Sequence, residues 1–316
     1  MRSVVTIVML VATTILSLAL VTSIALVFTI GREKNDVASQ LLPSLLFEPC
    51  ECGCPSVQPQ ITSRIVNGEA AVPNSWPWQL LLVAFTFSGI PISYCGASLI
   101  SDRHVLTAAH CVFGLSPRYV GVIPRLHVFN ISTWSPSVAY MAEKIFVHES
   151  YDSGTLNDDI AVIRLINRIT IDNQASLICL APENLLDPPL IEGDALIATG
   201  WGALNSYNQS QPSVLQQVRL QYVAPEHPQC SPLISSIDSP RPGQMCAGFP
   251  PKAVCFGDSG GPLVRSIRHG NGKTYWQQVG IMSGTVDCGY QFNFTDVYAR
   301  ISYYNPWIVE KIRQSP

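Results

Sequence analysis

The sequence predicts an all-β protein behind an N-terminal apolar helix. Short β-branched and apolar runs recur between Gly-, Pro- and Asn-rich turns, as in Gln79–Phe85, Lys144–Val147 and Ala195–Ala198. Runs of this kind read as strands of barrels or sandwiches. The stretch from Ile65 to Pro316 is long enough for one large all-β unit. Charged residues make up only 13% of the chain, against about 25% in an average protein. The formal charge of −3, from 19 basic and 22 acidic residues, excludes an electrostatic affinity for nucleic acid.

The first element, residues 1–31, contains an uncharged apolar run over 4–30. That run exceeds the roughly 7–15 residues of a signal peptide core and the roughly 20 that a spanning helix needs. Its length favours a transmembrane signal anchor. Arg2, Arg32 and Lys34 flank both ends, so charge does not set the orientation. The pattern Ser23-Ile24-Ala25 keeps a cleaved signal peptide, and hence secretion, open as the alternative. Residues 32–64 read as a short stem and activation segment, and residues 65–316 as the main domain. At its end Pro306 lies near a helix start, followed by Trp307, Ile308, Val309 and Ile312 at helical spacing.

Ten cysteines point to an oxidising compartment, which places the cysteine-rich domain outside the cell and an anchored N-terminus inside it. Sequons at Asn130, Asn208 and Asn293 fit N-glycosylation there. Cys50, Cys52 and Cys54 alternate, but they lack the spacing of a metal cluster. No metal and no cofactor is expected.

The chemistry concentrates in Gly257-Asp258-Ser259-Gly260-Gly261-Pro262. A serine between glycines presents a hydroxyl beside bare backbone N–H donors, although the same letters suit a simple turn. The chain also supplies a histidine in Thr107-Ala108-Ala109-His110-Cys111 and a carboxylate in Asn157-Asp158-Asp159-Ile160-Ala161-Val162. Arg64-Ile65-Val66-Asn67-Gly68 adds a basic residue before two β-branched ones. His104, His127, His148, His227 and His269 stand in no motif and read as structural or surface residues.

From about Cys52 to the C-terminus, these motifs and their order resemble the chymotrypsin-like (trypsin-fold) serine proteases. The resemblance implies two six-stranded antiparallel β-barrels with a C-terminal helix and the site in the cleft between them. It implies Ser259 as nucleophile, His110 as base and Asp159 as the acid that orients it. It selects Asp159 over Asp158, which reads as solvent-facing. The N–H groups of Gly257 and Ser259 would form the oxyanion hole. Arg64-Ile65 resembles a zymogen activation bond, cut by a trypsin-like protease, whose new amine at Ile65 would pair with Asp258. The family pattern implies the disulfides Cys52–Cys179, Cys95–Cys111, Cys230–Cys246 and Cys255–Cys288. The first would tether the cut activation segment. Cys50 and Cys54 have no partner in that pattern, which leaves pairing with each other, pairing between chains or two free thiols open.

The primary pocket departs from the trypsin pattern. Ala253, followed by Val254, stands where trypsin-like members carry their basal aspartate. The resemblance implies that Ser283 lines the pocket; Thr285 narrows the wall after it, Gly284 replaces an aromatic, and Phe256 flanks the mouth. Asp296 lies where most members have glycine, and a buried carboxylate there requires a partner. It either attracts a basic side chain or is paired internally. The expected function is a serine endopeptidase made as a zymogen, acting on polypeptides and open to protein protease inhibitors. The alternative is a catalytically weak, protease-like binding protein on the same fold.

Overall fold

The computed structural model describes residues 51–61, 68–183, 189–203, 210–224, 227–230, 242–248, 254–268, 274–285, 288 and 294–316. The expected N-terminal helix, residues 32–50 and 62–64 of the stem and activation segment, the activation bond Arg64-Ile65, His269, Ala253, Asn208 and Asn293 lie outside these residues. Among the described residues no helix is long and apolar enough to cross a membrane. The chain divides into Met1–Phe47 and Glu48–Pro316, and all described residues belong to the second unit.

After a short strand β1 (Glu69–Ala70), six strands close the first barrel: β2 (Gln79–Phe85), β3 (Pro91–Leu99), β4 (His104–Thr107), β5 (Val120–Ile123), β6 (Tyr140–Val147) and β7 (Ala161–Leu165). They run in the order β2-β3-β4-β7-β6-β5, with β5 returning to β2. Every residue of β2 is buried, because both of its faces are covered. The second barrel follows a two-residue strand β8 (Cys179–Leu180). It comprises β9 (Ala195–Gly200), β10 (Gln216–Val223), β11 (Gln244–Gly248), β12 (Pro262–Arg268), β13 (Thr274–Gly284) and β14 (Asp296–Arg300). The ring β10-β11-β14-β13-β12-β9 closes through the pairing of β9 with β10. β1 adds to β10 antiparallel, and β8 to β13 parallel.

The barrels share one hydrophobic core, and buried polar side chains join them. Ser98 donates to Gln278 at 2.7 Å, Thr199 donates to Gln79 at 2.6 Å, and the Trp76 indole donates to Gln217 at 2.8 Å. These three pairs thereby give the buried groups they join the partners that burial demands.

The C-terminal helix spans Ile301–Arg313, so it begins before Pro306 rather than near it. A proline inside a helix forfeits one backbone hydrogen bond. Tertiary contacts hold the extra turn: Ile301 and Ile308 are buried, and the Tyr304 hydroxyl donates to Asp158 at 2.9 Å. That contact also corrects the reading of Asp158 as solvent-facing. It is half-buried at φ +53°, a left-handed conformation that aspartate tolerates better than most residues.

Candidate active site

His110 sits in a single 3₁₀ turn, Ala109–Cys111, directly after β4. Asp159 sits in the loop that enters β7 and is 2% exposed. One of its oxygens accepts the backbone N–H of His110 at 2.8 Å, and the other accepts Nδ1 of the same ring at 2.7 Å. A carboxylate can only accept, so the ring proton stands on Nδ1 and Nε2 keeps a lone pair. Ser283 donates its hydroxyl to the second oxygen at 2.6 Å. Sequence reasoning had assigned Ser283 to pocket lining and missed this third bond. No local pattern signals it, since 124 positions separate the two residues.

Ser259 lies in the turn before β12, held between the two barrels. The Gly96 N–H of β3 donates to the Ser259 carbonyl at 2.7 Å, and the Gly260 N–H donates to the Met282 carbonyl of β13 at 2.8 Å. Gly257 and Gly260 have φ of +102° and +76°, which L side chains rarely adopt. A Cβ on Gly260 would also overlap Thr107 and the Gly96 carbonyl. The glycines therefore let the serine turn seat against β3 and β4, the strand that leads to His110. Among the described residues no hydrogen bond joins the Ser259 hydroxyl to His110, whose Nε2 lies 3.6 Å from Cys111 Sγ. Catalytic bonds of this kind are often loose before substrate binds.

The neighbouring residue, Asp258, is half-buried, with its carboxylate turned in against Gly200 and Gly202. It accepts from Gly202 at 2.7 Å and Cys255 at 3.0 Å. Burial pushes its pKa from 3.8 up to about 6, against the pull of those two N–H groups. Gly200 and Gly202 are small because a Cβ on either would overlap this carboxylate. No cation among the described residues pairs with it. The Tyr94 ring packs against Gly257. Its hydroxyl is pushed up to about 12, first by burial and then by the Asp258 charge, so it stays neutral.

Of the residues expected to line the primary pocket, Asp296 is 1% exposed and accepts the Val254 N–H at 3.0 Å. Ser283 is buried, Thr285 is half-buried, and Phe256 stands 51% exposed at the mouth. Disulfides link Cys52–Cys179, Cys95–Cys111, Cys230–Cys246 and Cys255–Cys288. The sulfurs of Cys95 and Cys111 cluster with His110 as three potential ligands, but their disulfide leaves no thiolate for a metal. Asn130 is exposed, with its side-chain oxygen accepting from the N–H and hydroxyl of Ser132.

A family model described as Trypsin matches residues 65–308. The chain belongs to the trypsin family. Among its trypsin-family relatives is Chymotrypsin-C of Rattus norvegicus, 36% identical over 266 residues that cover 83% of this chain and 94% of the relative. Chymotrypsin-C of Mus musculus is 35% identical over 278 residues, covering 86% of this chain and 98% of the relative. Transmembrane protease serine 11G of Rattus norvegicus is 32% identical over 262 residues, covering 82% of this chain and 58% of the relative.

Proposed function

We propose that this trypsin-family chain is a serine endopeptidase made as a zymogen, with Ser259, His110 and Asp159 as its triad. The observation that carries the reading is the double hydrogen bond from His110 to Asp159, which leaves Nε2 as the ring nitrogen able to take a proton, while the Ser259 turn packs on Thr107 and Ala108 just before His110. Nε2 takes the hydroxyl proton as Ser259 attacks the scissile carbonyl, then returns it to the leaving amine. Asp159 stabilises the imidazolium formed in between. The N–H groups of Gly257 and Ser259 receive the oxyanion, each such donor being worth about 10²–10³ in rate. Water then releases the acyl group by the same route in reverse.

Cleavage at Arg64-Ile65 by a trypsin-like protease starts the enzyme. The buried, raised pKa of Asp258 and its lack of a described cation support its pairing with the new Ile65 amine. A buried charge persists only when paired, so the pairing orders the Gly257–Ser259 turn. Cys52–Cys179 keeps the cut segment attached. The Gly53 N–H also donates to Leu177 at 2.7 Å, and the Trp276 N–H donates to Gly53 at 2.8 Å. The apolar run over 4–30, together with a relative named as a transmembrane protease, supports a signal anchor with the protease domain outside the cell. Glycans at Asn130, Asn208 and Asn293 fit the same location.

A fluorophosphonate probe tests the reading. After cleavage at Arg64, the wild type should label at Ser259, and Ser259→Ala should not. Correctly cleaved wild type that stays unlabelled would instead be a protease-like binding protein.

A further inference from the structure

One buried side chain is bonded to the chain on both sides of the activation bond. Gln217 of β10 is 2% exposed. Its amide nitrogen donates to the Gln60 carbonyl at 2.6 Å and to the Glu69 carboxylate at 3.1 Å. Its amide oxygen accepts the Trp76 indole N–H at 2.8 Å. An indole can only donate, so this contact decides which end of the amide faces the other two partners. In sequence, Gln60 stands four residues before Arg64, and Glu69 four residues after Ile65. Both flanks are seated further. Trp76 meets Trp276 edge-on at 4.7 Å, and Trp276 in turn holds Gly53 through its backbone N–H. Ile61 packs against the core. On the other flank Glu69 and Ala70 pair with Gln217 and Gln216 of β10.

We infer that Gln217 is a clamp on activation: by holding Gln60 to Glu69 it sets how fast a trypsin-like protease cuts Arg64-Ile65. The inference rests on the zymogen reading above. The cut adds water across the peptide bond and leaves an Arg64 carboxylate and an Ile65 amine. A chain from Gln60 to Glu69 in extended form spans roughly 30 Å, at about 3.4 Å per residue. The clamp instead keeps both residues within hydrogen-bond reach of one nitrogen. A peptide bound in extended form, the geometry of strand-like recognition, is incompatible with that closure. The protease therefore acts on the molecules in which the clamp has opened, and its rate follows their population.

The test follows cleavage at Arg64 in the full chain, by gel and N-terminal sequencing, with limiting trypsin as the probe protease. Gln217→Glu keeps the acceptor for Trp76 and turns both donated bonds into repulsions. It should be cut about 10-fold faster than wild type. Glu69→Ala, on the half-buried edge strand β1, removes one contact without touching the core. It should be cut about 3-fold faster. Both gains should hold well below each variant's melting midpoint, where global unfolding contributes nothing. A wild-type cutting rate in both variants, or a gain confined to the melting range, overturns the inference. Fully cut wild type that hydrolyses no peptide and takes no fluorophosphonate overturns the endopeptidase reading instead, while the cutting rates still decide the clamp.

Discussion

The Asp296 carboxylate accepts the backbone N–H of Val254 at 3.0 Å, inside the second barrel. The acid expected at the back of the primary pocket thus has an internal partner. If these residues form the primary pocket as proposed, an Asp296 oxygen engaged by Val254 leaves it suited to small or medium apolar residues. A peptide-library profile of the activated enzyme should favour such residues over Lys or Arg by about 10-fold or more at the cleaved position. A preference for Lys or Arg would mean that the carboxylate faces the pocket after all.

Asp159 holds His110 through two bonds and takes a third from Ser283. Asp159→Asn should lower kcat by about 10⁴ with KM little changed, the effect that this exchange has in the triad template. Ser283→Ala removes one hydrogen bond to a charged group, worth about 1.5–3 kcal/mol. Steady-state kinetics should show that loss mainly in kcat, whereas a pocket-lining role alone would appear in KM.

Asp258 should make the uncleaved and cleaved forms of the chain respond differently to pH. In the uncleaved chain its folded pKa is raised from 3.8 to about 6. Folding then holds the proton more tightly than the unfolded chain does. This contribution is fully present below pH 3.8 and is lost as pH rises through about 6, up to about 3 kcal/mol in all. Pairing with the Ile65 amine would favour the charged carboxylate and remove that loss. Thermal melts should therefore show the cleaved form gaining stability over the uncleaved one between about pH 4 and 7. In Asp258→Asn the gap should not change with pH.

The Cys52–Cys179 disulfide should hold the activation segment covalently after cleavage. On a non-reducing denaturing gel the cleaved wild type should run as one species, and cleaved Cys52→Ser as two. The uncleaved variant should lose about 2–5 kcal/mol of stability, since the bridge closes a long loop.

Much of the second-layer detail was not legible in the chain. The run Gln79–Phe85 is β2 from end to end, and Ala195–Ala198 lies within β9, because strand signals are local. The C-terminal helix begins earlier than Pro306 suggests, since buried Ile301 and the Tyr304–Asp158 bond outweigh one lost backbone bond. The same bond draws Asp158 in from solvent. Gly200 and Gly202 flank Trp201 as a readable motif, yet only the fold explains them, by bringing the Asp258 carboxylate against both.

By itself, the sequence determined which groups this protein carries: a serine among glycines, a histidine, an aspartate and paired cysteines in a recognisable order. Those groups sit in short motifs whose backbone demands are local. Only the tertiary structure decided their partners, such as Ser283 on Asp159, Val254 on Asp296 and the ring cluster of Tyr94, Phe129 and Trp134. These contacts join residues distant in the chain. They exist only because two barrels close and pack, and no local spacing encodes that closure.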